Sequence, residues 1–169
     1  GTIGDTVVST DLDNLTFLSK KNDFGSPYAS FTYILLNEQG NATESTYKFT
    51  INMDPSNDAP SIVDTTFTVA EDTTEETVGK EVGKVLVKDI DKEEEFLKNE
   101  LSIISGDKEY FDIDKKTGII TTKKPLDYEA DTVLVIKVLV NDGTNKDTAE
   151  VVVRISNIVE KSTIEITRF

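Results

Sequence analysis

The chain is dominated by a two-residue rhythm of apolar and polar positions. Tyr47, Phe49, Ile51 and Met53 alternate with Lys48, Thr50 and Asn52. Ala149, Val151, Val153 and Ile155 alternate with Glu150, Val152 and Arg154, and Phe31, Tyr33 and Leu35 with Thr32, Ile34 and Leu36. Successive side chains of a strand point to opposite faces, so each series places one set of side chains on one sheet face. The run 133–140 is apolar on both faces except at Lys137, which predicts a central strand. Turn signals at Gln39-Gly40-Asn41, Lys116-Thr117-Gly118 and Asn141-Asp142-Gly143 separate the runs. Many short strands with this punctuation predict an all-β sandwich. The stretch 91–98, rich in acids, breaks the rhythm and predicts a surface loop with at most one helical turn.

Pro55 and Pro60 flank Ser56-Asn57-Asp58-Ala59. Two prolines do not fit inside a central strand, and their fixed φ stiffens the segment. The segment 54–60 therefore reads as a short linker between modules at 1–57 and 58–158. A tail, 159–169, carries one more alternating series at Ile164 and Ile166. It is either the start of a further repeat or a strand that adds to a neighbouring sheet edge.

Charge changes the picture. Lys and Arg number 18 and Asp and Glu 32, a net charge of −14. Such a chain is repelled by phosphate backbones and anionic lipid, which argues against nucleic-acid binding. Cysteine and histidine are absent, which excludes zinc sites, thiol nucleophiles and Ser-His-Asp triads. No disulfide can staple the fold, so stability must come from burial or from a bound cation. No apolar run is long enough to span a bilayer, and no direct membrane insertion is expected. The chain opens at Gly1-Thr2 inside an ongoing pattern and reads as a fragment, so the lack of a signal peptide is uninformative. The triplets at Asn14 and Asn41 are formal glycosylation sequons.

Four pieces of the second module, in order, resemble the cadherin and cadherin-like tandem repeats. They are Phe67-Thr68-Val69-Ala70-Glu71, a strand ending in glutamate; Val85 to Asp91, a strand running into Asp89-Ile90-Asp91; the hairpin 110–120 with Leu126-Asp127-Tyr128-Glu129 after it; and Val140-Asn141-Asp142-Gly143. In the first module, Asn22-Asp23-Phe24-Gly25, Ser30-Phe31-Thr32-Tyr33 and Asn57-Asp58-Ala59-Pro60 resemble the closing half of bacterial-type cadherin-like repeats. The resemblance implies Greek-key, immunoglobulin-like β-sandwich modules in tandem.

It also implies Ca2+. Calcium takes about six to eight hard oxygens, more than a short linker supplies, so two repeats converge on it. Carried over by position, the implied ligands at the linker are Asp54, Asn57, Asp58, Asp89, Asp91, Asn99 and Asp142. The order Asp-Pro-Ser-Asn-Asp departs from the family's Asp-x-Asn-Asp-Asn. Glu71, Asp127 and Glu129 match ligands for a downstream linker, yet 156–160 lacks the Asn-Asp-x-Pro that would complete it. The bland alternative is that Asp and Asn simply favour turns.

These residues point to a calcium-dependent structural and adhesive ectodomain module, extracellular or at the cell surface, and not an enzyme. Its expected partners are neighbouring repeats and another cell-surface protein. The alternative is a calcium-dependent carbohydrate-binding module that recognises polysaccharide through Tyr28, Tyr33, Tyr47, Tyr110 or Tyr128. A carboxylate glycosidase would need a buried acid pair, and none stands out. The N-terminal tryptophan of strand-swapping cadherins has no counterpart, since the chain has no tryptophan.

Overall fold

A computed structural model describes residues 15–72, 78–91 and 98–159. The tail series at Ile164 and Ile166, the acidic stretch 92–97, Asp11, Asp13 and the sequon at Asn14 lie outside the described residues. The chain forms two compact units, 1–56 and 57–169.

In the first unit, β1 (Gly25–Tyr33) and β2 (Tyr47–Met53) form an antiparallel hairpin. Phe31 pairs with Phe49 and Tyr33 with Tyr47 across the strands, and both ring pairs stack, with centroids 5.2 and 5.4 Å apart. The alternation read from the sequence thus places these rings on one face. That face is exposed, and among the described residues no second layer covers it.

The second unit is a sandwich. Its larger sheet has the order β4 (Thr65–Ala70), β11 (Lys146–Ser156), β10 (Val133–Asn141), β7 (Glu100–Gly106). The smaller has the order β5 (Glu81–Lys84), β9 (Ile119–Thr122), β8 (Phe111–Ile113). A short pair, β3 (Ser61–Ile62) and β6 (Val87–Lys88), closes one end. β4 lies parallel to β11, and the other pairings are antiparallel.

The core follows from the alternation. Leu134, Ile136, Val138 and Val140 of β10 and Ala149, Val151, Val153 and Ile155 of β11 are buried together with Val82, Phe111, Ile113 and Ile120 of the facing sheet. Each large aliphatic side chain so buried contributes about 1.5–3 kcal/mol. β10 is central, as its sequence predicts, but Val135 and Leu139 are only half-buried, because they face outward. On that outer face Lys137 pairs with Glu150, a favourable cross-strand combination. The strand expected from Val85 to Lys88 is broken instead. β5 ends at Lys84, and only Val87 and Lys88 pair, with β3. Val85 turns inward while Leu86 is exposed, which moves the chain from one layer to the other.

The β8–β9 turn shows how the local sequence sets geometry. Asp114 Oδ1 accepts from the backbone N–H of Lys116 and Thr117 and from the Thr117 hydroxyl, at 2.7–3.0 Å. Gly118 then takes a positive φ of 75°. The Thr117 N–H, its hydroxyl and the Lys116 N–H hold the Asp114 carboxyl below its ordinary range. A depressed folded pKa adds stability above about pH 3.9 that is lost as pH falls through the folded value. Asp114→Asn should therefore be less stable than the parent in urea unfolding at neutral pH. The difference should shrink in acid, below the folded pKa.

Gly106 closes β7 at φ 84°, and a Cβ there would stand 2.1 Å from the Val135 carbonyl oxygen. Gly143 has φ 99°, with nothing within 4 Å of a Cβ. Gly143→Ala should cost about 1–3 kcal/mol from the backbone alone. Gly106→Ala should cost more, since it adds a backbone clash; paired urea denaturation curves check the order.

Candidate metal centre

The register of β10 with β11, from Val133 opposite Arg154 to Asn141 opposite Lys146, separates the candidate ligands of the second unit into two sets at opposite ends.

At the end where β10 finishes, a chain of hydrogen bonds joins most of the sequence-predicted residues. Asn57 Nδ2 donates to Asp142 Oδ2 at 3.0 Å. The Asp58 N–H donates to Asp91 Oδ2 at 3.1 Å, and the Asp91 N–H to Asp89 Oδ1 at 3.1 Å. Asn99 Nδ2 donates to Asp89 Oδ2 at 2.7 Å. The amide oxygen of the same side chain, Asn99 Oδ1, is buried without a hydrogen-bond partner. A buried acceptor left unpaired costs about 1–3 kcal/mol, which is unusual in a native interior and marks a place for a donor or cation. Asp142 is 4% exposed. Burial disfavours its charge, but the Asn145 N–H, the Asn57 amide and the Thr144 N–H outweigh it and hold the carboxyl below its ordinary range. Asp54 belongs to the first unit, directly after β2, and is exposed.

At the opposite end, carboxylate oxygens of Glu71, Asp127 and Glu129 all lie within 4.8 Å of one another. Glu71 follows β4 and is 3% exposed. Its Oε1 accepts from the Ile158 N–H at 2.6 Å and its Oε2 from the Tyr128 N–H at 2.9 Å. Asp127 Oδ1 accepts from the N–H groups of Glu129 and Ala130. Asn157 Nδ2 donates to Glu129 Oε1 at 2.8 Å. Among the described residues this is the tightest gathering of acids, although the sequence around 156–160 lacks the linker motif.

Sequence reasoning passed over residues that fasten these sets. Asn157 was visible only as a linker mismatch. Asp72 and Lys80 form a salt bridge at 3.1 Å beside Glu71, and no local pattern announces a pair eight residues apart. Asp147 and Asp64, which accept the N–H groups of Ile62 and Glu150, are likewise strand-end caps that only the tertiary fold reveals.

The tyrosines are placed differently. Tyr110 and Tyr128 pack against the core, and the Lys124 ammonium lies 5.1 Å from the Tyr110 ring centre. Tyr33 and Tyr47 are exposed on the hairpin.

The sequence profile of the cadherin domain matches residues 64–156. The chain belongs to the cadherin family. Its fold is shared with solved cadherin ectodomains. Protocadherin Gamma B2 extracellular domains 1–5 are 15% identical, with a TM-score of 0.64, over 78% of this chain and 26% of that one. Domains 3–6 of the same protein are 18% identical, with a TM-score of 0.58, over 66% and 28%. The human Desmocollin-1 ectodomain is 25% identical, with a TM-score of 0.56, over 76% and 26%. The chain thus spans only about a quarter of these relatives' lengths. No curated protein matches it closely enough to be named beside it. The cadherin domain is an adhesive ectodomain fold, not typically enzymatic, and its ectodomain relatives are extracellular. Among the described residues no helix is long and apolar enough to cross a membrane.

Glu71 offers a check on the site that needs no metal. Glu71→Ala takes their acceptor from the part-buried N–H groups of Tyr128 and Ile158, and should cost about 1–3 kcal/mol in urea unfolding. Glu71→Gln, which keeps an acceptor oxygen, should cost less.

Proposed function

We propose that this chain is a calcium-dependent structural and adhesive ectodomain module of a cell-surface protein. Its units are taken as neighbouring cadherin-type modules, the second at 58–158 and the first a partial or small module at 1–57. Cadherin domains as a family bind calcium, and the donor chemistry at both ends of the second unit fits it. The candidate ligands are hard oxygens, and a chain without histidine or cysteine offers no softer competitor.

The observation that carries this reading is the buried, unpartnered Asn99 Oδ1 beside Asp89. Asp89, Asp91, Asp58, Asn57 and Asp142 are joined to the Asn99 amide nitrogen through a chain of hydrogen bonds rather than dispersed over the surface. Asp54 stays a proposed contributor from the linker. Glu71, Asp127 and Glu129 are proposed as a second centre. A bound cation would supply the positive charge these acids lack and would stiffen the chain where it enters and leaves the module. The proposed partners are calcium, neighbouring repeats and a surface ligand on another cell.

Thermal unfolding in calcium and in chelator tests the reading on the parent and on Asp89→Ala with Asp91→Ala. Calcium should raise the Tm of the parent by several degrees and that of the double variant by much less. An equal Tm with and without calcium in both proteins would reduce the acids to solvated turns and bring forward sugar binding on the exposed Tyr33 and Tyr47.

Asn99→Asp gives a prediction with two opposed signs. A carboxylate in place of the amide repels Asp89 and loses its hydrogen bond, so the variant should melt lower in chelator. The added charge should also tighten calcium binding, so that calcium raises its Tm by more than it raises the parent's.

A further inference from the structure

Glu71 and the pair Asp127 and Glu129 sit on separate pieces of chain, one leaving β4 and the other following β9. Their separation has to be set by something other than their own mutual repulsion. Asp72 and Leu126 exchange two hydrogen bonds: the Asp72 N–H donates to the Leu126 carbonyl at 2.9 Å, and the Leu126 N–H donates to Asp72 Oδ2 at 3.0 Å. Leu126 is itself buried and directly precedes Asp127. Asp72 is therefore a strap between the segment that carries Glu71 and the segment that carries the other acids.

Lys80 locks that strap. Its ammonium donates to Asp72 Oδ1 at 3.1 Å, to the Ala70 carbonyl at 2.6 Å and to the Glu71 carbonyl at 3.4 Å. Its backbone belongs to the other layer: the Lys80 N–H donates to Thr122 Oγ1, and the Thr122 N–H to the Lys80 carbonyl. Thr122 ends β9 and is buried. One side chain thus ties the end of β4 in the larger sheet to β9 in the smaller. The Asp72 side chain is 3% exposed and that of Lys80 31%, so the carboxylate is the desolvated partner of the pair.

We propose that Lys80 and Asp72 are positioning residues for the acidic centre of Glu71, Asp127 and Glu129, holding its two halves at the separation a divalent cation requires. The inference rests on the calcium reading of that centre. Its logic is counter-electrostatic. A positive charge beside a cation site weakens it by Coulomb repulsion, so a lysine here earns its place only through geometry. Outer residues that orient metal ligands change affinity by about tenfold to a hundredfold when removed.

Terbium, a luminescent stand-in for calcium, tests the proposal on the full chain. Tyr128 lies between Asp127 and Glu129, so it can sensitise emission from an ion held there. The part of the signal lost in Tyr128→Phe reports this end alone. Lys80→Met should weaken terbium binding at this end about tenfold or more even though it removes a positive charge. Lys80→Arg should recover most of the loss, and the signal that survives Tyr128→Phe should keep its affinity. Unchanged or tighter binding in Lys80→Met would overturn the proposal, leaving Lys80 a purely structural residue. The double variant K80M with D72N leaves the net charge unchanged and no buried carboxylate unpaired, so it serves if K80M fails to fold. It should weaken binding in the same way, and unchanged affinity would overturn the proposal. If the parent shows no Tyr128-dependent signal that calcium displaces, the calcium reading of this end fails, and the positioning role fails with it. That outcome differs from a parent that binds and a Lys80→Met that binds equally well.

Discussion

Like charges gathered at the ends of a β-sandwich are the constraint on which the rest of this structure depends. Two carboxylates about 4 Å apart repel by about 1 kcal/mol in water and by more where water is partly excluded. The described residues bring Glu71, Asp127 and Glu129 within such range at one end and link Asp58, Asp89, Asp91 and Asp142 at the other. The fold tolerates this by spending backbone N–H groups on the acids. Tyr128 and Ile158 serve Glu71, Glu129 and Ala130 serve Asp127, and Thr144 and Asn145 serve Asp142. These donors fix where the carboxylates stand without neutralising them.

What holds the ends in place is an ordinary core. The interior faces of β10 and β11 supply an unbroken aliphatic layer from Leu134 to Val140 and from Ala149 to Ile155, and the smaller sheet covers it with Phe111, Ile113 and Ile120. The strands are stiff because they are β-branched and buried, so the loops at their ends inherit fixed origins. The first unit shows the contrast. Its β1–β2 hairpin has the same alternation and stacked rings, but no described strand covers the aromatic face.

Much of this was legible in the sequence. Period-two alternation marked β2 and β11, the run apolar on both faces except at Lys137 marked β10, and the Thr117-Gly118 and Asp142-Gly143 pairs marked the turns that follow β8 and β10. The acids of both ends were legible by position through the family resemblance. What escaped was whatever depends on contacts between distant segments. The parallel pairing of β4 with β11 has no local signature, and neither does the break between β5 and β6, where Val85 and Leu86 look like strand continuation until one turns in and the other out. The Asp72–Lys80 pair escaped for the same reason: a lysine in an acidic chain reads as solvated until its ammonium is seen against three oxygens of one strand end. The orphaned oxygen of Asn99 is also invisible to a sequence, because only packing shows which polar atoms lack a partner.

The most direct measurement is a calcium titration followed by amide resonances in two-dimensional NMR of the isotopically labelled chain. The account predicts saturable shifts concentrated at the N–H groups that donate to the candidate ligands. They include Asp58, Asp91, Thr144 and Asn145 at one end and Tyr128, Glu129, Ala130 and Ile158 at the other, with the β10 and β11 interior amides unmoved. Weak, unsaturable shifts spread over acidic residues throughout the surface, including Asp114 in its metal-free turn geometry, would contradict it.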